Sequence, residues 1–137
     1  MAGKRQPWDI RPSKMSASSI PAALKKDVES KASDLIADVL KPKHIRPPEK
    51  DAQFNYISDI TSKWYRQFFY FISTYTCPYP DALEPTFDQK FARMEYIGND
   101  KFALYFMRYT GEWVGIHDAM SVDESMEAIQ NDEWFVP

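Results

Sequence analysis

Two short turn signals divide the aromatic part of the chain, and they constrain its fold more than any other feature. Residues 98–100 (GND) and 110–111 (TG) each contain residues that accept a positive φ at little cost. The segments 86–97, 101–109 and 112–117 that flank them are rich in aromatic and β-branched residues, as strands are. We therefore predict three antiparallel strands joined as a meander.

Two further strands are predicted before the meander. Residues 66–77 (RQFFYFISTYTC) alternate with apolar residues on both faces, so we expect both faces of this strand to be covered. Residues 54–62 fit an alternating strand, but their apolar residues also fit a helical turn. We favour the strand and keep the helix as the alternative.

Helices are predicted at both ends of this sheet. Over residues 19–41, apolar residues recur at helical spacing after a capping residue, Ser19, and Pro42 is expected to end the helix. The apolar stripe must pack on the sheet or on a partner chain. The sequence SVDE at 121–124 is a capping box that begins a helix over 122–131. The predicted fold class is α+β: an N-terminal helix, a four- to five-stranded antiparallel meander sheet and a short C-terminal helix packed on it.

The predicted organisation is a single folded body with an N-terminal extension. We expect residues 1–18 to be a disordered basic leader, 19–41 an amphipathic helix, 42–53 a proline-rich linker and 54–137 the α+β body. Residues 1–50 carry a net charge of +5 and residues 51–137 a net charge of −8, from six Lys/Arg and fourteen Asp/Glu. Because nucleic-acid binding needs clustered cations, the body is not expected to bind nucleic acid.

The sequence contains no recognisable catalytic or metal-binding motif. It has two histidines far apart and a single cysteine, Cys77, for which a structural role is favoured over a reactive one. We expect no cofactor and no metal. The lone cysteine and the lack of a long apolar run predict a cytoplasmic protein without a membrane span.

Four residues are the best candidates for an anionic-ligand site. Three arginines fall in the predicted aromatic strands, and a histidine precedes a carboxylate at the end of the last one: Arg66, Arg93, Arg108 and His117. Such cations can bind anions or stack on rings, and they can equally form cross-strand ion pairs. If they bind a ligand, we expect a pocket between the helix and the concave sheet.

A surplus of aromatic residues predicts an interaction surface. One helix and one short helix are not expected to cover a four- or five-stranded sheet, so some aromatic surface should remain open to a partner or a second copy of the chain. The candidates are Trp64, Tyr65, Phe69, Phe71 and Trp113.

From about residue 54 to 137 the chain resembles a family of small uncharacterised bacterial proteins, a domain of unknown function. The segments that carry this resemblance are DITSKWYRQFFYF, CPYPDALEPTF, KFARMEYIGNDKF, MRYTGEW and SVDESMEAIQNDEWFVP. The resemblance implies no activity, cofactor or functional residue.

The first functional hypothesis is a non-enzymatic protein-interaction or self-associating module, working as a homodimer or with a protein partner. The alternative is a small-molecule or enzymatic pocket that takes an anionic ligand. A further alternative is nucleic-acid contact through the basic leader.

Overall fold

A five-stranded antiparallel sheet forms the centre of the computed structural model, which describes residues 20–46, 54–79 and 83–137. Each strand pairs with the next one in the chain, so the α+β meander is confirmed. Residues 54–62 therefore contribute to a strand and not to a helix. The strands are β1 (Tyr56–Tyr65), β2 (Phe68–Thr76), β3 (Thr86–Gly98), β4 (Lys101–Met107) and β5 (Trp113–Met120).

The predicted turn residues adopt the conformations that their chemistry favours. Gly98, Asn99 and Asp100 all have positive φ between β3 and β4, and Gly111 has a φ of 90° between β4 and β5. The turn between β1 and β2 was missed, because it contains neither glycine nor proline. There Arg66 takes a φ of 56°, so β1 ends at Tyr65 and β2 begins at Phe68.

The N-terminal helix passes through Pro42, so the predicted end at this proline was wrong. Helix α1 (Ala22–Leu35) continues into a π-helical turn, Ile36–Leu40, and then into α2 (Lys41–His44). A proline in a regular helix clashes with the carbonyl four residues before it. Here the N–H of Lys41 donates to the carbonyl of Ile36, five residues back, which widens the backbone just before Pro42.

The apolar stripe of α1 packs on one face of the sheet, which we term the inner face. Val28 and Ala32 of α1, and Leu40 of the π-helical turn that follows it, are at most 1% exposed. They meet large side chains from the middle strands, which are also buried: Phe69, Phe71, Met94, Phe102 and Leu104. The helix therefore packs within its own chain, which resolves the alternative left open by its sequence.

Helix α3 (Val122–Asn131) begins and ends as its sequence predicts. The N–H of Glu124 donates to Ser121 Oγ, and the N–H of Ser121 donates to the Glu124 carboxylate, which forms the capping box.

In the C-terminal tail, Phe135 is buried in the core, and the Trp134 ring packs on Phe106, with 5.0 Å between the ring centres. Lys31 of α1 forms an ion pair with Asp123 of α3 at 2.7 Å, so the two helices lie side by side on the inner face.

Several predicted features cannot be compared with the fold. The leader 1–18, the capping residue Ser19 and most of the linker 42–53 lie outside the described residues. Among the helices of residues 20–46, 54–79 and 83–137, none is long and apolar enough to cross a membrane.

Candidate functional site

The face of the sheet opposite the helices carries most of the basic residues of the body, and we term it the outer face. The alternation of β1 and β2 places Lys63, Tyr65, Phe68 and Tyr70 on this face, since the residues adjacent to them in sequence, Trp64, Phe69 and Phe71, point toward the core. Cation–π contacts assign further residues of the strands and turns to the outer face: Arg66, Lys90, Arg93, Tyr105, Arg108, Tyr109 and Trp113.

Arg93 lies at the centre of the outer face and is enclosed by aromatic rings. Its guanidinium carbon is 4.2 Å from the centre of the Tyr105 ring, 4.7 Å from Phe68 and 4.8 Å from Trp113. Such cation–π contacts stabilise the charge without neutralising it. Its Nε is buried and has no hydrogen-bond partner among the described residues. Arg93 is thus held in place as a cation.

A buried carboxylate lies two residues further along β3. Glu95 is 2% exposed, and its Oε1 accepts a hydrogen bond of 2.8 Å from the Tyr105 hydroxyl. Gly115 lies opposite Tyr105 in β5, and a Cβ at this position would be in van der Waals contact with that ring at 3.4 Å. The tyrosine thereby separates Glu95 from the surface, where the cations lie.

Three further cations of this face, Arg66, Lys90 and Arg108, also lie over rings. Lys90 Nζ is 4.7 Å from the centre of the Tyr70 ring, and the Arg66 guanidinium is 5.4 Å from that of Tyr65. Arg108 is 5.9 Å from the ring of Tyr109, the adjacent residue in the turn between β4 and β5. The outer face thus alternates between positive charge and aromatic surface.

A groove of about 480 Å³ lies on this face, and three cations line it. They are Lys63 from β1, Lys90 from β3 and Arg108 from the turn after β4. Ile72 and Met107 supply apolar lining, and the lining carboxylate, Asp88, accepts a hydrogen bond of 2.7 Å from Thr74. None of the three cations forms an ion pair with a carboxylate of the described residues. Such a groove has the charge and the apolar surface to bind an amphipathic anion.

A bulge between β2 and β3 brings Lys90 and Arg93 to the same face. The register moves from Phe71–Ala92 to Ile72–Lys90, which leaves Phe91 as an extra residue in β3. Phe91 and Ala92 are both buried. Strict alternation would place Lys90 and Arg93 on opposite faces, so the sequence pattern could not identify Lys90 as part of this site.

A second, smaller groove of about 340 Å³ lies beside α3 and contains His117. His117 Nε2 is 2.8 Å from Asp132 Oδ2, just after the end of α3. Glu124 and Glu127 also line this groove. The histidine therefore pairs with a carboxylate 15 residues away and not with the adjacent Asp118, which sequence reasoning considered.

The four predicted ligand residues do not come together in one site. Arg93 and Arg108 belong to the outer face, and Arg66 lies at its end near β1, in a turn and not on a strand. Arg108 lies in a turn as well, and His117 lines the other groove. Among the described residues, core side chains fill the inner face, and the groove that Lys63, Lys90 and Arg108 line lies on the outer face.

The five predicted interface residues divide between the two faces. Phe69 and Phe71 are at most 1% exposed in the core, so this prediction is corrected: the folded chain cannot offer them to a partner. The Trp64 ring packs on Phe69, and Lys25 of α1 covers it, with Nζ 5.5 Å from the ring centre. Tyr65, which is 55% exposed, and Trp113 remain on the outer face.

Within residues 20–46, 54–79 and 83–137, no three His, Cys, Asp or Glu side chains group closely enough to hold a metal ion.

The model of one protein family matches residues 20–137, and that family is described as a domain of unknown function, DUF3024. The match begins at residue 20 and thus includes the N-terminal helix, which the resemblance seen in the sequence left out. No curated protein and no solved structure is significantly similar to the chain.

Proposed function

Because the chain belongs to the DUF3024 family, a domain of unknown function, we propose its role from its geometry. It is a non-enzymatic binding module, and the outer face of its sheet takes an anionic partner. The observation that carries this proposal is the groove lined by Lys63, Lys90 and Arg108, three cations without an ion pair among the described residues.

The uneven distribution of charge supports this proposal. Residues 51–137 contain only six Lys/Arg against fourteen Asp/Glu. Five of those six basic residues are on or beside the outer face, and the sixth, Lys101, begins β4 at the opposite end of the strand from Arg108. Cations gathered on one face repel each other. A bound anion would relieve that repulsion.

The proposal is tested by the affinity of the full-length chain for a heparin-derived oligosaccharide. The triple variant Lys63→Ala, Lys90→Ala and Arg108→Ala should bind about tenfold more weakly, since each exposed ion pair contributes up to about 1 kcal/mol. A charge-matched control replaces three exposed lysines elsewhere, Lys26, Lys43 and Lys101, with alanine. Equal losses in the two triple variants would contradict a site on the outer face.

Self-association is a second candidate, and the open edges of the sheet favour it. In the order β1-β2-β3-β4-β5, the first and last strands each pair on one side only within the described residues. An unpaired strand edge can pair with the same edge of a second copy. Size-exclusion chromatography with light scattering tests this candidate, and a strict monomer at high concentration would exclude it.

We also propose a cytoplasmic location. The single cysteine, Cys77, is free, which accords with a reducing compartment. Fractionation of cells that express the tagged chain tests this location, and recovery from a compartment outside the cytoplasm would contradict it.

A further inference from the structure

We propose that the anionic partner is a single-stranded nucleic acid, which lies across the outer face with bases on its exposed rings and phosphates on its cations. This inference rests on the proposed function, since it names the class of anion that the outer face binds. It follows from three properties of that face: the alternation of rings and cations, their spacing, and the exposure of the rings at its two ends.

Rings and cations alternate on this face as they do on surfaces that bind single strands. Such surfaces combine cations that follow the backbone with aromatic rings or guanidinium planes on which bases stack. Here four cations, Arg66, Lys90, Arg93 and Arg108, lie over rings at centre distances of 4.2–5.9 Å. Lys63 adds a fifth cation at the groove. The same side chains thus provide both kinds of contact.

The exposed rings lie at opposite corners of the outer face. Tyr65 is 55% exposed and ends β1, next to the turn at Arg66. Tyr109 is 92% exposed and follows β4, in a turn at the other end of the sheet. With about 4.8 Å between strands and 3.3 Å per residue, these corners are roughly 20–25 Å apart. Arg93 and the groove lie between them, so a strand of about four nucleotides would reach from one ring to the other.

The net charge of the body does not oppose this binding mode. Summed over residues 51–137 it is −8, and from this sum alone the body is not expected to bind nucleic acid. The fold places part of those charges away from the outer-face cations, while Asp88 lines the groove itself and accepts a hydrogen bond from Thr74. The capping and ion-pairing carboxylates Asp123, Glu124 and Asp132 belong to α3 and its end on the inner side, and Glu95 of the outer side lies buried beneath Tyr105.

An acidic protein segment is the competing partner, and the exposed rings argue against it. A row of carboxylates would use the cations and leave Tyr65 and Tyr109 without a role. A duplex would leave them unused as well, because its bases are already stacked on each other. Unpaired bases match both features, since every base has a face that stacks on an aromatic ring.

The test measures fluorescence anisotropy of a labelled oligouridylate of about twelve nucleotides with the full-length chain, against a labelled poly-glutamate of equal charge. The oligonucleotide should bind at least tenfold more tightly, with an affinity that falls as salt rises. Tyr65→Ala and Tyr109→Ala should each weaken it about fivefold or more. Tyr65→Phe and Tyr109→Phe keep the ring and should retain the affinity.

The outcomes separate this inference from the function on which it rests. If poly-glutamate binds as tightly as the oligonucleotide and the Tyr→Ala variants bind normally, the nucleic-acid inference fails while an anion-binding face stands. If neither probe binds, the inference fails, and the proposed function fails with it if the heparin-derived oligosaccharide does not bind either. A variant with Lys4, Arg5, Arg11 and Lys14 replaced by alanine controls for the basic leader. Loss of oligonucleotide binding in this variant, with no loss in the Lys63, Lys90 and Arg108 triple variant, would overturn the inference.

Discussion

The rings of Tyr70 and Trp113 approach each other to 5.9 Å, although β3 and β4 lie between their strands. Strands three positions apart have backbones about 14 Å apart, so the two side chains must lean toward each other over the sheet. The space that they close contains Arg93, whose guanidinium is 4.8 Å from the Trp113 ring. The outer face therefore holds a small aromatic layer of its own, built around a cation.

We predict that Trp113→Ala destabilises the fold by about 1–3 kcal/mol, because it removes a large ring from Tyr70 and from Arg93. The matched control is Trp134→Ala, since Trp134 is 50% exposed and packs on Phe106 of the other face. Trp134→Ala should lower the free energy of unfolding by less than Trp113→Ala does. Urea unfolding followed by circular dichroism measures both, and a larger cost for Trp134 would contradict the aromatic layer.

Phe71→Ala should destabilise the fold by about 3–5 kcal/mol, because this ring is fully buried between α1 and the sheet. Tyr65→Ala should change the free energy of unfolding by less than about 1 kcal/mol, since Tyr65 is 55% exposed. The same denaturation experiment compares them. Similar small effects at both positions would show that Phe71 does not lie in a packed core.

We predict that Pro42→Ala changes the free energy of unfolding by less than about 1 kcal/mol. A proline in a regular helix costs about 3 kcal/mol, through its missing N–H and its clash with the preceding turn. Here the π-helical turn at Ile36–Leu40 already accommodates the ring. A gain in stability of about 3 kcal/mol on substitution would mean that the proline strains the helix.

The capping box of α3 should make the stability of the fold depend on pH. The hydrogen bond from the Ser121 N–H to the Glu124 carboxylate lowers the pKa of that carboxyl below its ordinary value of 4.5. Because the pKa of Glu124 is lower in the folded state than its ordinary value, the ionised carboxylate stabilises the fold at pH values above 4.5. This contribution is lost as the pH falls through the lowered pKa. The Tm advantage of the native chain over Glu124→Gln should therefore be full at pH 7 and shrink below pH 4.5. A constant difference in Tm would refute this role of the charge.

Local chemistry made most of the fold predictable. The turn at 98–100, the glycine at 111 and the capping box at 121–124 each specify their own backbone, and the structure has all three. Two errors arose at backbone conformations that the local residue preferences do not indicate. Pro42 continues a helix because a π-helical turn precedes it, and Arg66 forms a turn without glycine or proline.

The candidate site was less predictable, because it depends on how the strands pair. Arg93 and Arg108 were identified from their aromatic neighbours, but Lys63 and Lys90 were missed. The bulge at Phe91 changes the face on which Lys90 lies, and no local signal marks it. A net charge summed over the body also does not show that one face collects the cations.

The most direct test of the central claim, an anion-binding outer face, is a nuclear magnetic resonance titration of the full-length chain. Increasing amounts of the heparin-derived oligosaccharide should shift the amide resonances of Lys63, Lys90 and Arg108. Those of Val28 in α1 and of Lys101 should stay in place. Shifts confined to α1, α3 or residues 1–18, with the outer face unchanged, would contradict the claim.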